Sequence, residues 1–136
     1  MTDIERRVVI LSLVSKKREN PDLWGYARLR KSILLLQKEE GVPLGFPFGL
    51  ERERPVSPEL QLFLEKMMFE NDIEVENTPS GFRRVIGKHG QILLRKNPGI
   101  IDRYEEQINR VFEMIRDMSL TDLRVAARNS YLAHPE

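Results

Sequence analysis

Six glycines and prolines between Gly41 and Pro55 forbid a helix across that stretch. Proline removes an amide donor, and glycine adds the entropic penalty of an unrestrained backbone. The chain is thereby divided into helical patterns before the break and a mixed set of elements after it. Inside the break, Leu44, Phe46, Phe48 and Leu50 alternate with Gly and Pro. That alternation predicts an extended, irregular crossing with one face on the core.

Before the break, Thr2 and Glu5 form a Thr-x-x-Glu capping box. Ile4, Val8, Leu11 and Val14 then follow a helical stripe widened by Val9, Ile10 and Leu13, so a largely buried helix is expected from about Ile4 to Lys17. Lys16, Lys17 and Arg18 complement its C-terminal dipole. Asn20-Pro21 predicts the start of a second helix, and Gly41 predicts its stop. Trp24 and Tyr26 flank Gly25, a pair expected to lock the helix entrance onto the core.

After the break, Ser57-Pro58-Glu59 is a cap, an N1 proline and a first-turn acid. It predicts a third helix ending near Asn71. Ile73 to Glu76 alternates, Asn77 to Gly81 is rich in turn residues, and Phe82 to Ile86 resumes a strand pattern, which together predict a β-hairpin. Gln91 to Arg95 is short enough to be a third strand or a helical turn. Ile101, Tyr104, Ile108, Val111, Ile115 and Met118 give the clearest helical stripe, on a helix from Ile100 to Met118. Ser119 and Asp122 open a last helix reaching about Leu132. The expected fold is α+β and mainly helical: five helices and a β-hairpin wing in a winged helix-turn-helix-like domain. One domain spans 1–136, with 1–98 as helical core and wing and 99–136 as appended C-terminal helices.

The stretch Arg28-Leu29-Arg30-Lys31-Ser32-Ile33-Leu34-Leu35-Leu36-Gln37-Lys38-Glu39, then Ser57-Pro58-Glu59-Leu60 and Ile73-Glu74-Val75, resembles the YwgA-like proteins and their relatives with the Panacea (phage-associated antitoxin) domain. The likeness covers residues 25–77. Those families usually carry Tyr-Gly-Pro-Tyr/Phe just before the Ser, where this chain has Arg52-Glu53-Arg54-Pro55-Val56. The resemblance implies a winged-helix-like fold and a role in transcriptional control, or in neutralising or presenting partner proteins. It implies no catalytic residues.

Charge bears directly on function. With 22 basic and 21 acidic side chains the net charge is +1, so nucleic-acid binding would need a local patch rather than global attraction. Arg83, Arg84 and Lys88 lie on or near the wing, and Arg95 and Lys96 follow; such residues either touch phosphates or protect a soluble strand edge. The third helix carries more acid than base, which opposes groove reading by it. Arg28, Arg30, Lys31 and Lys38 are read as a solvated face balanced by Glu39 and Glu40. The stripe Ile101, Tyr104, Ile108, Val111, Ile115 and Met118 either forms a homodimer seam or packs against the same chain's first helix.

Other classes find little support. The chain has no cysteine, which excludes disulfides and thiolate chemistry. His89 and His134 stand outside any metal-ligand spacing, and Gly87-Lys88-His89-Gly90 lacks the length and the Ser/Thr of a phosphate loop, so it is expected to be a turn. No enzyme activity, metal or cofactor is expected. The N-terminus has no signal-peptide organisation and no apolar run long enough for a membrane, so a cytoplasmic location is the expectation. Two functions stand open: a dimeric regulator of double-stranded DNA, and a protein-interaction module that keeps the frame without reading DNA.

Overall fold

The computed structural model describes residues 1–16, 24–79 and 81–134. Their order is α1 (Asp3–Val14), α2 (Tyr26–Lys38), β1 (Gly49–Glu51), β2 (Arg54–Val56), α3 (Pro58–Phe69), β3 (Ile73–Thr78), β4 (Gly81–Ile86), α4 (Lys88–Lys96), α5 (Pro98–Ile115) and α6 (Leu120–Ala133). The α+β, mainly helical class holds. Among the described residues there are six helices rather than five, and two antiparallel hairpins rather than one.

The polar caps act as their chemistry dictates. The Thr2 hydroxyl accepts from the Glu5 amide at 3.1 Å, and Glu5 accepts in return from the Thr2 amide at 2.9 Å. Ser57 and Ser119 accept from the Leu60 and Asp122 amides in the same manner. Helix α1 is apolar on all sides from Val8 to Leu11 and runs through the core. It ends at Val14 rather than Lys17, where the Ser15 hydroxyl bonds back to the Ser12 carbonyl at 2.6 Å. The predicted basic tail at Lys17 and Arg18, and the helix start at Asn20-Pro21, lie outside the described residues. Helix α2 is described from Tyr26.

Helix α5 packs on α1 and α2, α6 packs on α2, and α4 packs on α1. The apolar stripe of α5 is therefore turned inward: Ile108, Val111 and Ile115 are buried in this chain's own core, with Ile101, Tyr104 and Met118 half-buried. Of the two uses of that stripe, intramolecular packing is the one realised. The homodimer expectation loses the surface on which it rested. An amphipathic stripe states only that a helix needs a partner, and here the partner is α1.

The crossing after α2 is extended where predicted. Val42, Leu44 and Phe46 are buried between exposed Pro43, Gly45 and Pro47. The Gln37 side chain clamps it, donating to the Phe46 carbonyl at 2.7 Å and accepting from its amide at 2.9 Å. The irregular reading fails from Gly49 onward, where β1 and β2 pair Gly49 with Val56, Leu50 with Pro55 and Glu51 with Arg54. The two-residue turn is Arg52-Glu53, with φ of 50° and 64°. Two positive φ values are what a tight hairpin of this twist requires, yet the usual Asn-Gly is absent. Each left-handed side-chain residue costs about 1 kcal/mol. Arg52→Asn combined with Glu53→Gly should therefore raise unfolding stability by about 1–2 kcal/mol, read as a higher denaturation midpoint at unchanged slope.

The Gln91–Arg95 ambiguity resolves as α4, held from its first turn. The Gly87 amide donates to the Asp72 carbonyl at 2.9 Å and the His89 amide to the Asn71 carbonyl at 3.1 Å. Gly87-Lys88-His89-Gly90 is thus the docking end of a helix rather than a turn.

Candidate nucleic-acid interface

Strand alternation separates the cations of the β3–β4 hairpin. Arg83 faces Glu76 across the hairpin and Arg84 faces Val75, so they point to opposite sides of the sheet. Arg83 is committed to a salt bridge with Glu76 at 2.7 Å. Lys88 and Arg95–Lys96 are exposed at opposite ends of α4, roughly 12 Å apart along its axis. The five predicted contacts do not converge on one patch.

Arg84 does find a basic neighbour, on α2. Its amide donates to the Trp24 carbonyl at 2.9 Å, which ties β4 to the entrance of α2. Trp24 is itself buried, its indole N–H donating to the Lys16 carbonyl at 2.9 Å, so the expected lock is present. Over the ring of half-buried Tyr26 lie two guanidiniums, Arg30 at 4.5 Å and Arg84 at 5.0 Å from the centroid. Cation–π attraction offsets part of their mutual repulsion. Among the described residues neither has a carboxylate at ion-pair distance, and the Nε of each is buried without a hydrogen-bond partner. Burial lowers the Arg84 pKa; Tyr26 opposes that shift and Arg30 adds to it. Burial raises the Tyr26 pKa, with Arg30 and Arg84 pulling it down and Glu65 pushing it up.

The basic surface continues from Arg30 to Lys31, into a cleft of about 490 Å³ between α2, the β1–β2 hairpin and α6. Arg54 and Arg124 also line it. Burial holds the Lys31 pKa below the ordinary lysine value, and the charges of Arg30, Arg124 and Arg54 act in the same direction. The balancing acids expected for α2 lie elsewhere: Glu40 pairs with Arg110 at 2.7 Å, and Glu39 lies 3.6 Å from the His134 ring. Lys38 lies over the Tyr131 ring, and Arg28 donates to the Ile115 carbonyl at 3.3 Å. The expectation of a solvated, neutralised face is corrected for Arg30 and Lys31: both are half-buried, and among the described residues neither has an ion-pair partner.

Arg54 and Arg124 were not legible as site residues. Arg124 and Arg128 sit four apart on one face of α6, and Arg52-x-Arg54 flanks a strand turn, but nothing local tells which surface they meet. The acid-rich reading of α3 stands: Glu59 and Glu65 are exposed on it against Lys66, and Glu70 at its C-cap pairs with Arg7 at 2.7 Å. No helix among the described residues is long and apolar enough to cross a membrane.

No protein-family model, no curated protein and no solved structure matches this chain.

Proposed function

We propose that this protein is a small winged-helix-like regulator that binds the backbone of double-stranded DNA through Arg84 of the wing and Arg30 of α2. The observation that carries the reading is their shared placement on Tyr26 with no carboxylate partner among the described residues. Two guanidiniums so close repel one another, and a phosphate supplies the missing countercharge with bidentate geometry. The site is local, as a chain of net charge +1 requires. The order of helices followed by a hairpin supports a wing that positions on phosphates. The likeness of residues 25–77 to winged-helix families points the same way by analogy. The acidic outer face of α3 argues that base reading is not its task.

The test is fluorescence-anisotropy titration of a mixed-sequence duplex at low salt. The double variant Arg30→Ala/Arg84→Ala should bind about tenfold more weakly or worse, for every sequence alike, while keeping the native circular-dichroism spectrum. Equal affinity of a folded double variant rejects this surface.

A second reading has its own observation. On α3, Leu62 is 65% and Phe69 88% exposed, seven residues apart on one face. Such a pair favours a protein-interaction module, the alternative role for the frame. Absence of duplex binding even at low salt leaves this reading in place, with Leu62→Ser and Phe69→Ser as the variants that should abolish partner binding.

A further inference from the structure

The cleft beside that surface holds more charge than the fold needs. Among the described residues its walls carry six cations, Arg30, Lys31, Arg52, Arg54, Arg124 and Arg128, against two carboxylates, Glu51 and Glu53. One of those acids is partly spoken for, since Glu53 lies 3.7 Å from Arg128. Among the described residues, Lys31, Arg54 and Arg124 have no ion-pair partner. Lys31 is half-buried on α2, with Arg124 coming from α6 and Arg54 from β2. Three separate elements thus line one concavity with cations, and half-buried Lys31 feels the charges of exposed Arg54 and Arg124.

Three further features point to a ligand rather than to accident. The floor is apolar, formed by Ala27, Leu34, Phe48, Leu60 and Ala127. At about 490 Å³ the cleft falls in the range of roughly 300–1,000 Å³ that small-molecule sites occupy. The hairpin that forms one wall is also strained, holding Arg52 and Glu53 at positive φ where glycine or asparagine would relax it. Backbone strain retained at the lip of a charged pocket is a common mark of a binding site.

We infer that this cleft binds a small phosphorylated molecule, a phosphomonoester whose phosphate lies on Lys31, Arg54 and Arg124 and whose ring or apolar part rests on the floor around Phe48. A monoester dianion would neutralise the repelling cations, and an apolar ring would cover the floor. Inorganic phosphate would satisfy the cations alone, and a neutral nucleoside the floor alone. A duplex backbone, by contrast, is read from exposed flanks, whereas Lys31 sits recessed. The inference is independent of the DNA reading, with which it shares only Arg30 at the rim.

The experiment is isothermal titration calorimetry of the full chain with three probes: adenosine monophosphate, adenosine and inorganic phosphate. The monophosphate should bind, inorganic phosphate should bind more weakly, and adenosine should give no measurable heat. Lys31→Met and Arg124→Ala should each weaken monophosphate binding about tenfold or more. Arg84→Ala should leave it unchanged. Lys31→Met removes a charge that burial already disfavours, so it should fold at least as well as the wild type, and exposed Arg124 offers a second variant that does not touch the core. No heat with any probe, or monophosphate affinity unchanged in both cleft variants, overturns the inference. So does monophosphate affinity no better than that of inorganic phosphate together with loss of duplex binding in both variants, which would make the cleft a stretch of the nucleic-acid track. Failure of the DNA reading alone would show instead as a silent Arg30→Ala/Arg84→Ala variant with monophosphate binding intact.

Discussion

Gly90→Ala should destabilise the protein by about 3 kcal/mol, the upper end of what overpacking usually costs. Helix propensity alone gives the opposite sign, since alanine in a helix interior gains about 1 kcal/mol over glycine. Sterics decide the matter. A Cβ at Gly90 would lie 2.2 Å from the Asp72 carbonyl oxygen and 3.1 Å from Leu11 Cδ2. The first of these is backbone, held by the Gly87 amide, and cannot swing aside as a side chain could. Gly87 is constrained alike, its Cβ position 2.2 Å from the Asn71 carbonyl oxygen. Accommodating either methyl means lifting α4 off the α3–β3 corner. Urea denaturation monitored by circular dichroism reads the effect as a lower midpoint, and a Gly90→Ala protein as stable as wild type would mean α4 does not dock there.

The same corner carries the second large effect. Asp72 is 0% exposed and accepts from Arg7 Nη1 at 2.6 Å, with His89 Nδ1 on its other oxygen. Arg7 is itself buried and also meets Glu70 at 2.7 Å and Asp3 at 2.8 Å. These carboxylates and the hydrogen bonds hold the Arg7 pKa above its ordinary value against the lowering effect of burial, which is the largest single influence on it. Removing one partner of a buried pair costs about 3–5 kcal/mol because a desolvated charge is left behind. Asp72→Ala should fall near the lower bound, about 3 kcal/mol, since Glu70 and Asp3 still face the guanidinium. Adding Arg7→Met should recover part of the loss, because the stranded cation is then gone. A double variant no more stable than Asp72→Ala would show that the guanidinium is not the source of the destabilisation.

How much of this was written locally in the chain varies with the physics involved. The Thr2–Glu5 box, Ser57-Pro58 and Ser119 are caps whose chemistry acts within three residues, so the helix starts could be read directly. The β3–β4 hairpin was legible because its alternation and turn residues are local as well. The β1–β2 hairpin was not, since Arg52-Glu53 carries no turn residue that announces positive φ. Gly87 and Gly90 looked like turn glycines because their real constraint is the backbone of residues 71 and 72, which no local pattern reveals. The α5 stripe showed an apolar face but could not name α1 as its cover. The basic surface was half legible: Arg84 stood out on the β3–β4 hairpin, whereas Arg30, Lys31, Arg54 and Arg124 meet only through tertiary packing. Alternation along β4 already implied that Arg83 and Arg84 could not act on one side.

The most direct test of DNA-backbone binding is the salt dependence of duplex affinity, measured by fluorescence anisotropy from low to moderate salt. If Arg30 and Arg84 each neutralise a phosphate, the plot of log affinity against log salt should fall with a slope of at least about 2 in magnitude, and the Arg30→Ala/Arg84→Ala variant should be flatter by about that amount. No binding at low salt, or a slope that the folded double variant leaves unaltered, would contradict it.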